Sequence, residues 1–169
     1  MNLRSEFEKE LRSEERKKKI EINEIRFREV GRQKGEIDKK VKIKITKYKA
    51  SQGEEYFIEA VNKDNILFGL IRLRFPDNKN IFIDELKDCA IIRELHVYGK
   101  ATEIGKIGKQ SQHIGIGKLL MQKAEEIARK NKYNKVAVIS GVGVRQYYKK
   151  LGYNLNGDYM IKKLNKAVH

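Results

Sequence analysis

Cysteine is almost missing from this chain of 169 residues, with Cys89 as the single example. One thiol excludes an internal disulfide, a four-cysteine zinc site and a cysteine-ligated iron–sulfur cluster built from this chain alone. It fits a reducing compartment, so a cytoplasmic protein is expected. Long apolar runs are missing as well. Residues 1–19 lack the apolar centre of a signal peptide, and no stretch reaches the roughly 20 apolar residues of a spanning helix, so no membrane partner is expected. Acidic residues are outnumbered, 23 against 38 basic ones, leaving a formal charge of +15. Such an excess favours a polyanionic partner such as nucleic acid. It runs along the whole chain instead of forming one block, which a merely lysine-rich, soluble protein would also show.

The length suits one domain with a substantial core, residues 22–169, preceded by a charged helical arm or linker at 1–21. In that arm Leu3, Phe7 and Leu11 form a thin apolar stripe, and Glu14/Lys18 and Glu15/Lys19 are supporting pairs. From Val41 the pattern alternates, with Val41, Ile43 and Ile45 on one face and Lys42, Lys44 and Thr46 on the other, the period of a half-buried strand. Residues 56–61 and 66–75 read as a hairpin about the turn-rich stretch 62–65, 81–86 as a short strand, and 90–98 as a longer one. A glycine- and lysine-bearing loop at 99–112 leads into an amphipathic helix. Its buried stripe is Leu120, Ala124, Ile127 and Ala128, and Gln122, Lys123, Glu126 and Arg129 face solvent. A strand at 136–140, a second helix at 144–151 capped by Gly152, and a last strand at 159–164 complete an α+β domain with a mixed, mostly antiparallel sheet flanked by helices.

The sharpest chemical feature is Gln112-His113-Ile114-Gly115-Ile116-Gly117, where a loop hands over to a helix. A helix start aims unpaired N–H groups at one point and favours an anion; side chains at Gly115 or Gly117 would hold a diphosphate away, and Lys118 adds charge. Two glycines ahead of a helix also serve a simple tight turn. The third glycine of a dinucleotide fingerprint is missing, and the Gly-Lys pair does not complete a nucleotide P-loop.

Taken with the later Val144-Arg145-Gln146-Tyr147-Tyr148-Lys149-Lys150-Leu151-Gly152-Tyr153, this segment resembles the GNAT acetyltransferase superfamily. More specifically, Ile92-Arg93-Glu94-Leu95-His96-Val97-Tyr98-Gly99, Gln112-His113, Ala137-Val138-Ile139-Ser140-Gly141-Val142-Gly143 and Gly157-Asp158-Tyr159-Met160 resemble the acetyltransferase domain of the Elongator catalytic subunit. Ile25-Arg26-Phe27-Arg28-Glu29-Val30-Gly31 and Leu70-Ile71-Arg72-Leu73-Arg74 match that family too, so the resemblance spans residues 22–164.

The resemblance implies a GNAT-type fold and a tRNA-modifying enzyme that adds a carboxymethyl-type group at C5 of the wobble uridine. It implies acetyl-coenzyme A as cofactor, tRNA as partner, and a radical S-adenosylmethionine domain or full-length partner that carries a 4Fe-4S cluster. This chain cannot bind that cluster, having only Cys89. Ile22 replaces a cysteine of the family's short metal-binding segment, and no metal ligand is assigned. Backbone contacts to pantetheine are expected from Glu94, Leu95, His96 and Val97, and pyrophosphate contacts from Gln112, His113, Gly115, Ile116, Gly117 and Lys118. Tyr147 and Tyr148 are expected beside the thioester, with Tyr148 as acid; adjacent on a helix, about 100° apart, one of them packs instead. Glu94 and His96 are further catalytic candidates, against the plainer readings of a salt-bridged glutamate and a strand histidine. Lys42, Lys44, Lys47, Arg72, Arg74, Lys100, Lys106 and Lys109 are candidates for a tRNA-facing surface. Two other readings stay open: a free-standing protein lysine or small-amine N-acetyltransferase, and a non-catalytic RNA-binding arm.

Overall fold

A computed structural model describes residues 6, 9–11, 13–14, 23–77, 81–99 and 111–164, with the backbone alone at 111–114. In the arm, the described residues are helical; the rest of 1–21 lies outside the described residues. The elements are α1 (Ile25–Arg28), β1 (Lys42–Ala50), β2 (Gly53–Val61), β3 (Leu67–Phe75), β4 (Cys89–Val97), α2 (Ser111–Lys130), β5 (Lys135–Ile139), α3 (Arg145–Lys150), β6 (Asn154–Asn156) and β7 (Tyr159–Lys163). They form the expected α+β arrangement around one seven-stranded sheet in the order β1-β2-β3-β4-β5-β7-β6. Every neighbouring pair is antiparallel except β4 and β5. That parallel pair needs a crossover, and α2 is the crossover.

Period-2 alternation decides what each sheet face does. Ile58, Ala60, Ile71, Leu73, Phe75, Ala90, Ile92, Val136 and Val138 pack on the stripe of α2, where Leu120, Ala124, Ile127 and Ala128 are buried as expected and Met121 joins them. Among the described residues the opposite face has little cover. Val61, Leu67 and Leu70 pack there with Ile25 of α1, while Arg28 pairs with Glu59 and donates to Asn65 at 3.0 Å. Glu125 ties α2 to the far side of the sheet, accepting from Tyr153 at 2.9 Å and from Lys162 at 2.8 Å.

Three expectations change. Residues 81–86 are no strand: Asp84–Leu86 is a 3-10 turn, with Leu86 buried and Phe82 95% exposed, so alternation there does not reflect two faces of a sheet. β1 is an edge strand whose Ile45 stays exposed, and of the three apolar residues expected to be buried only Ile43 packs on the core. Strands β1 and β2 run farther than expected, meeting at Ser51 and Gln52, both with positive φ, as a two-residue hairpin of this hand requires. Arg74 holds that turn, donating to the Ala50 carbonyl at 3.0 Å and the Ser51 carbonyl at 2.8 Å. Past α3, Gly152 has φ +87° and is the cap the sequence points to.

Replacing Arg28 by Ala leaves the Glu59 carboxylate buried without its cation. Urea unfolding is expected to show a loss of about 3 kcal/mol.

Candidate functional site

The ladder between β4 and β5 covers only four residue pairs, from Cys89↔Lys135 to Ile92↔Val138. β5 runs on to Ile139 alongside Tyr159 of β7, whereas β4 runs on to Val97 along β3. From residue 93 onward, therefore, the β5-facing edge of β4 has no strand partner among the described residues, although the two strands began side by side. The register explains the divergence. Arg72 pairs with Glu94 but Leu73 pairs with Ile92, so Arg93 is an extra residue, a bulge, at the point where the ladder stops. A bulge bends its strand and increases local twist.

Above this opening stands the N-terminal half of α2. The helix is described from Ser111 onward, so Gly115 and Gly117 lie inside it, not at a loop-to-helix handover. Among the described residues the amides without an intrahelical partner are accordingly those of 111–114, not of the glycines. Ile116 and Leu120, four apart, both sit over Gly69 of β3, within 2.9 and 3.1 Å of where a Cβ would stand. The two helix glycines then differ. A Cβ on Gly115 would meet nothing within 4 Å, whereas one on Gly117 would lie 2.7 Å from the Tyr147 hydroxyl and 3.4 Å from Val97. Gly117 thus allows α2, α3 and the end of β4 to meet. Lys118 is exposed and Ile116 half-buried; the side chains of Gln112 and His113 lie outside the described residues.

The other lip is the loop after β5 with α3. Ser140 Oγ, Arg145 Nε and Tyr147 Oη are buried there with no hydrogen-bond partner among the described residues. Most buried polar atoms are paired, so these three stand out among the described side chains. Tyr148 is 7% exposed and stands in the core, its ring edge-on to Tyr147 at 5.3 Å and to Tyr153 at 6.0 Å. Burial pushes both phenols up, so each keeps its proton at neutral pH.

On the strand, Leu95 packs towards α2, while Glu94 and His96 lie on the face away from it, paired with Arg72 and Leu70. Glu94 is ion-paired with Arg72 at 2.7 Å and lies 3.3 Å from His96 Nε2; the His96 side chain is 54% exposed. Of the expected tRNA-facing residues, Lys42 and Lys44 are exposed, Lys47 pairs with Glu54 at 2.9 Å, and Arg72 and Arg74 are drawn onto Glu55 and Glu94. Lys100, Lys106 and Lys109 lie outside the described residues. So does Ile22, and among the described residues no three His, Cys, Asp or Glu group as a metal site. No described helix is long and apolar enough to cross a membrane. The residue that sequence reasoning missed is Glu55, whose signal was an acid in phase with the arginines of the facing strand.

Comparison with known proteins gives the same frame. Residues 36–164 match the acetyltransferase (GNAT) domain family. The chain is 42% identical over 153 residues to Elongator complex protein 3 of Homo sapiens, covering 86% of this chain and 28% of that protein. For Elongator complex protein 3 of Drosophila melanogaster the figures are 45% over 152 residues, 83% and 27%. Among solved structures, archaeal Elp3 of Methanocaldococcus infernus with an N-terminal deletion superposes with a TM-score of 0.76 at 34% identity, covering 92% of this chain and 38% of that one. The chain thus spans little more than a quarter of the length of these curated relatives.

The orphaned hydroxyl separates two tyrosines. Tyr147→Phe removes a buried hydroxyl with no partner among the described residues and is expected to leave stability unchanged or raise it by about 1 kcal/mol; Tyr153→Phe, which strips a bond from Glu125, is expected to cost about 2 kcal/mol. Thermal melts of both variants check this.

Proposed function

The chain belongs to the GNAT acetyltransferase family, and from that premise we propose that it holds acetyl-coenzyme A between β4 and β5 as the acetyl-handling domain of an Elongator-type enzyme of tRNA wobble uridine. The observation that carries the reading is the unpartnered edge of β4 beneath the start of α2. An extended amide chain pairs with such an edge as an added strand does, and Glu94, Leu95, His96 and Val97 would hold the pantetheine arm. The N–H groups at the start of α2, those of Gln112 and His113 included, would take the pyrophosphate, with Lys118 adding charge.

When bound, the cofactor supplies an activated acetyl thioester. The chain's own residues bind it, shield it and manage a proton. Tyr148 keeps its phenolic proton at neutral pH because it is buried, and is the donor we assign to a departing sulfur. N–H groups on the free edge of β4 stabilise negative charge on a carbonyl oxygen. Glu94 and His96, on the less covered sheet face, stand where an acceptor would approach. Lys42 and Lys44 on the edge strand supply phosphate contacts for tRNA, which give affinity without reading sequence. The acetyl unit would then pass to a radical S-adenosylmethionine domain, whose iron–sulfur cluster the single cysteine of this sequence cannot hold.

Release of free coenzyme A thiol, followed with and without tRNA, tests this. Release stimulated by tRNA is expected, with loss in Gly117→Arg, whose side chain would collide with the Tyr147 hydroxyl. Tyr148→Phe is expected to slow release about a hundredfold while changing cofactor affinity little. Equal turnover removes Tyr148 from the acid role, and transfer to a lysine or small amine without tRNA favours a free-standing N-acetyltransferase. tRNA affinity is expected to fall at least about tenfold between 50 and 200 mM salt, with Lys42→Ala flattening that slope more than Arg74→Ala. Salt-independent binding argues against a phosphate-contacting surface.

A further inference from the structure

On the less covered sheet face, Glu55 of β2 is 1% exposed and gathers bonds from three other strands. Tyr48 of β1 donates to it at 2.8 Å, Arg74 of β3 at 3.0 Å and Arg93 of β4 at 2.9 Å, and Arg72 of β3 lies 3.8 Å away. Burial alone would push this carboxyl up, but the bonds from Arg93, Tyr48 and Arg74 hold it below its ordinary value, so it stays charged.

These partners are not equivalent. Tyr48, Arg72 and Arg74 stand on strands adjacent to β2, and each arginine has other acceptors: Glu94 for Arg72, the Ala50 and Ser51 carbonyls for Arg74. Arg93 reaches across β3 from two strands away, and it is the extra residue of the bulge where β4 leaves β5. A bulge without an anchor slips easily, and a slip of one residue turns every following side chain to the other face. Residues 94–97 are the ones that follow.

We propose that the Glu55–Arg93 ion pair is a positioning device that pins the β4 bulge at Arg93, fixing the register and outward swing of residues 94–97. Glu55 and Arg93 touch no ligand in this scheme; they act through the strand. The inference rests on the reading of the opening as a coenzyme A slot. It assigns the buried carboxylate a task that core stability alone does not require, since a carboxylate costs more to bury than an apolar residue of similar size.

The test compares Arg93→Ala, Arg93→Lys and Tyr48→Phe in the full chain. Each is measured for its coenzyme A dissociation constant by calorimetry, its melting temperature, and the backbone amide NMR shifts of Glu94, Leu95, His96 and Val97. Arg93→Ala is expected to weaken coenzyme A about tenfold and to move those four amide signals, and Arg93→Lys to recover most of both. Tyr48→Phe removes another bond from the same carboxylate without touching β4, so affinity within about twofold of wild type is expected even where the melting temperature falls. Arg93→Ala with wild-type affinity and unmoved amides overturns the proposal, as do two variants that lose affinity in proportion to their loss of stability. Should the wild-type chain fail to bind coenzyme A, the slot reading fails and the amides decide: shifts at 94–97 confined to Arg93→Ala sustain the pin, and their absence refutes it.

Discussion

Two parallel strands that stay together for four residue pairs and then part govern what this molecule can do. Backbone N–H and C=O groups are obligatory hydrogen-bonding groups, and a strand that leaves its neighbour must find other partners for them. Here the parting is built into the middle of the sheet, between two antiparallel halves that are each well paired. Ile92 pairs with Val138 at the base, and beyond it α2, α3 and the end of β4 meet at Gly117, Tyr147 and Val97. What results, among the described residues, is a strand edge in the interior of the sheet that lacks a strand partner from residue 93 onward.

The supports of that opening differ in kind on its two sides. On the α2 side they are apolar: Leu120, Met121, Ala124 and Ala128 are buried against β-strand residues of both halves, and dispersion and water exclusion hold the helix as a crossbar. The Glu125 bonds to Tyr153 and Lys162 then fix the β6–β7 half to that bar. On the other side they are ionic, with Glu55 and Glu94 answering Arg72, Arg74 and Arg93, and Glu59 answering Arg28. Ion pairs in a half-covered sheet face add little net stability but restrict which registers are tolerated. The apolar face thus carries most of the buried area, while the ionic face, on the proposal above, fixes strand position.

Most of the elements were legible in the sequence because two periods carry them. The 3.6-residue stripe of α2 and the alternation of β2, β3 and β4 survive folding, since each reflects burial on one face. At residues 81–86 the same alternation misled, because Ile81 and Ile83 lead into the 3-10 turn Asp84–Leu86, and of the two only Ile81 packs on the cluster of Leu86, Cys89 and Ala137. The candidate site was legible in its parts and not in its assembly. Glycines, tyrosines and the Glu94–Val97 strand were marked, but the bulge at Arg93 depends on pairing with β3, and pairing register is a non-local property. The different roles of Gly115 and Gly117 were hidden for the same reason: only the crossing of α2 over Val97 and Tyr147 distinguishes them. Glu55 escaped notice because it stands beside Glu54, just before the strand read at 56–61, and reads as solvent-facing until its three guanidinium neighbours are known.

Amide hydrogen exchange along β4, measured with and without coenzyme A, probes the free edge most directly. If an extended ligand completes the sheet there, exchange within residues 93–97 slows on binding while Cys89–Ile92, already paired with β5, changes little. Coenzyme A that binds without slowing exchange at any of residues 93–97 would contradict the edge as the seat of recognition.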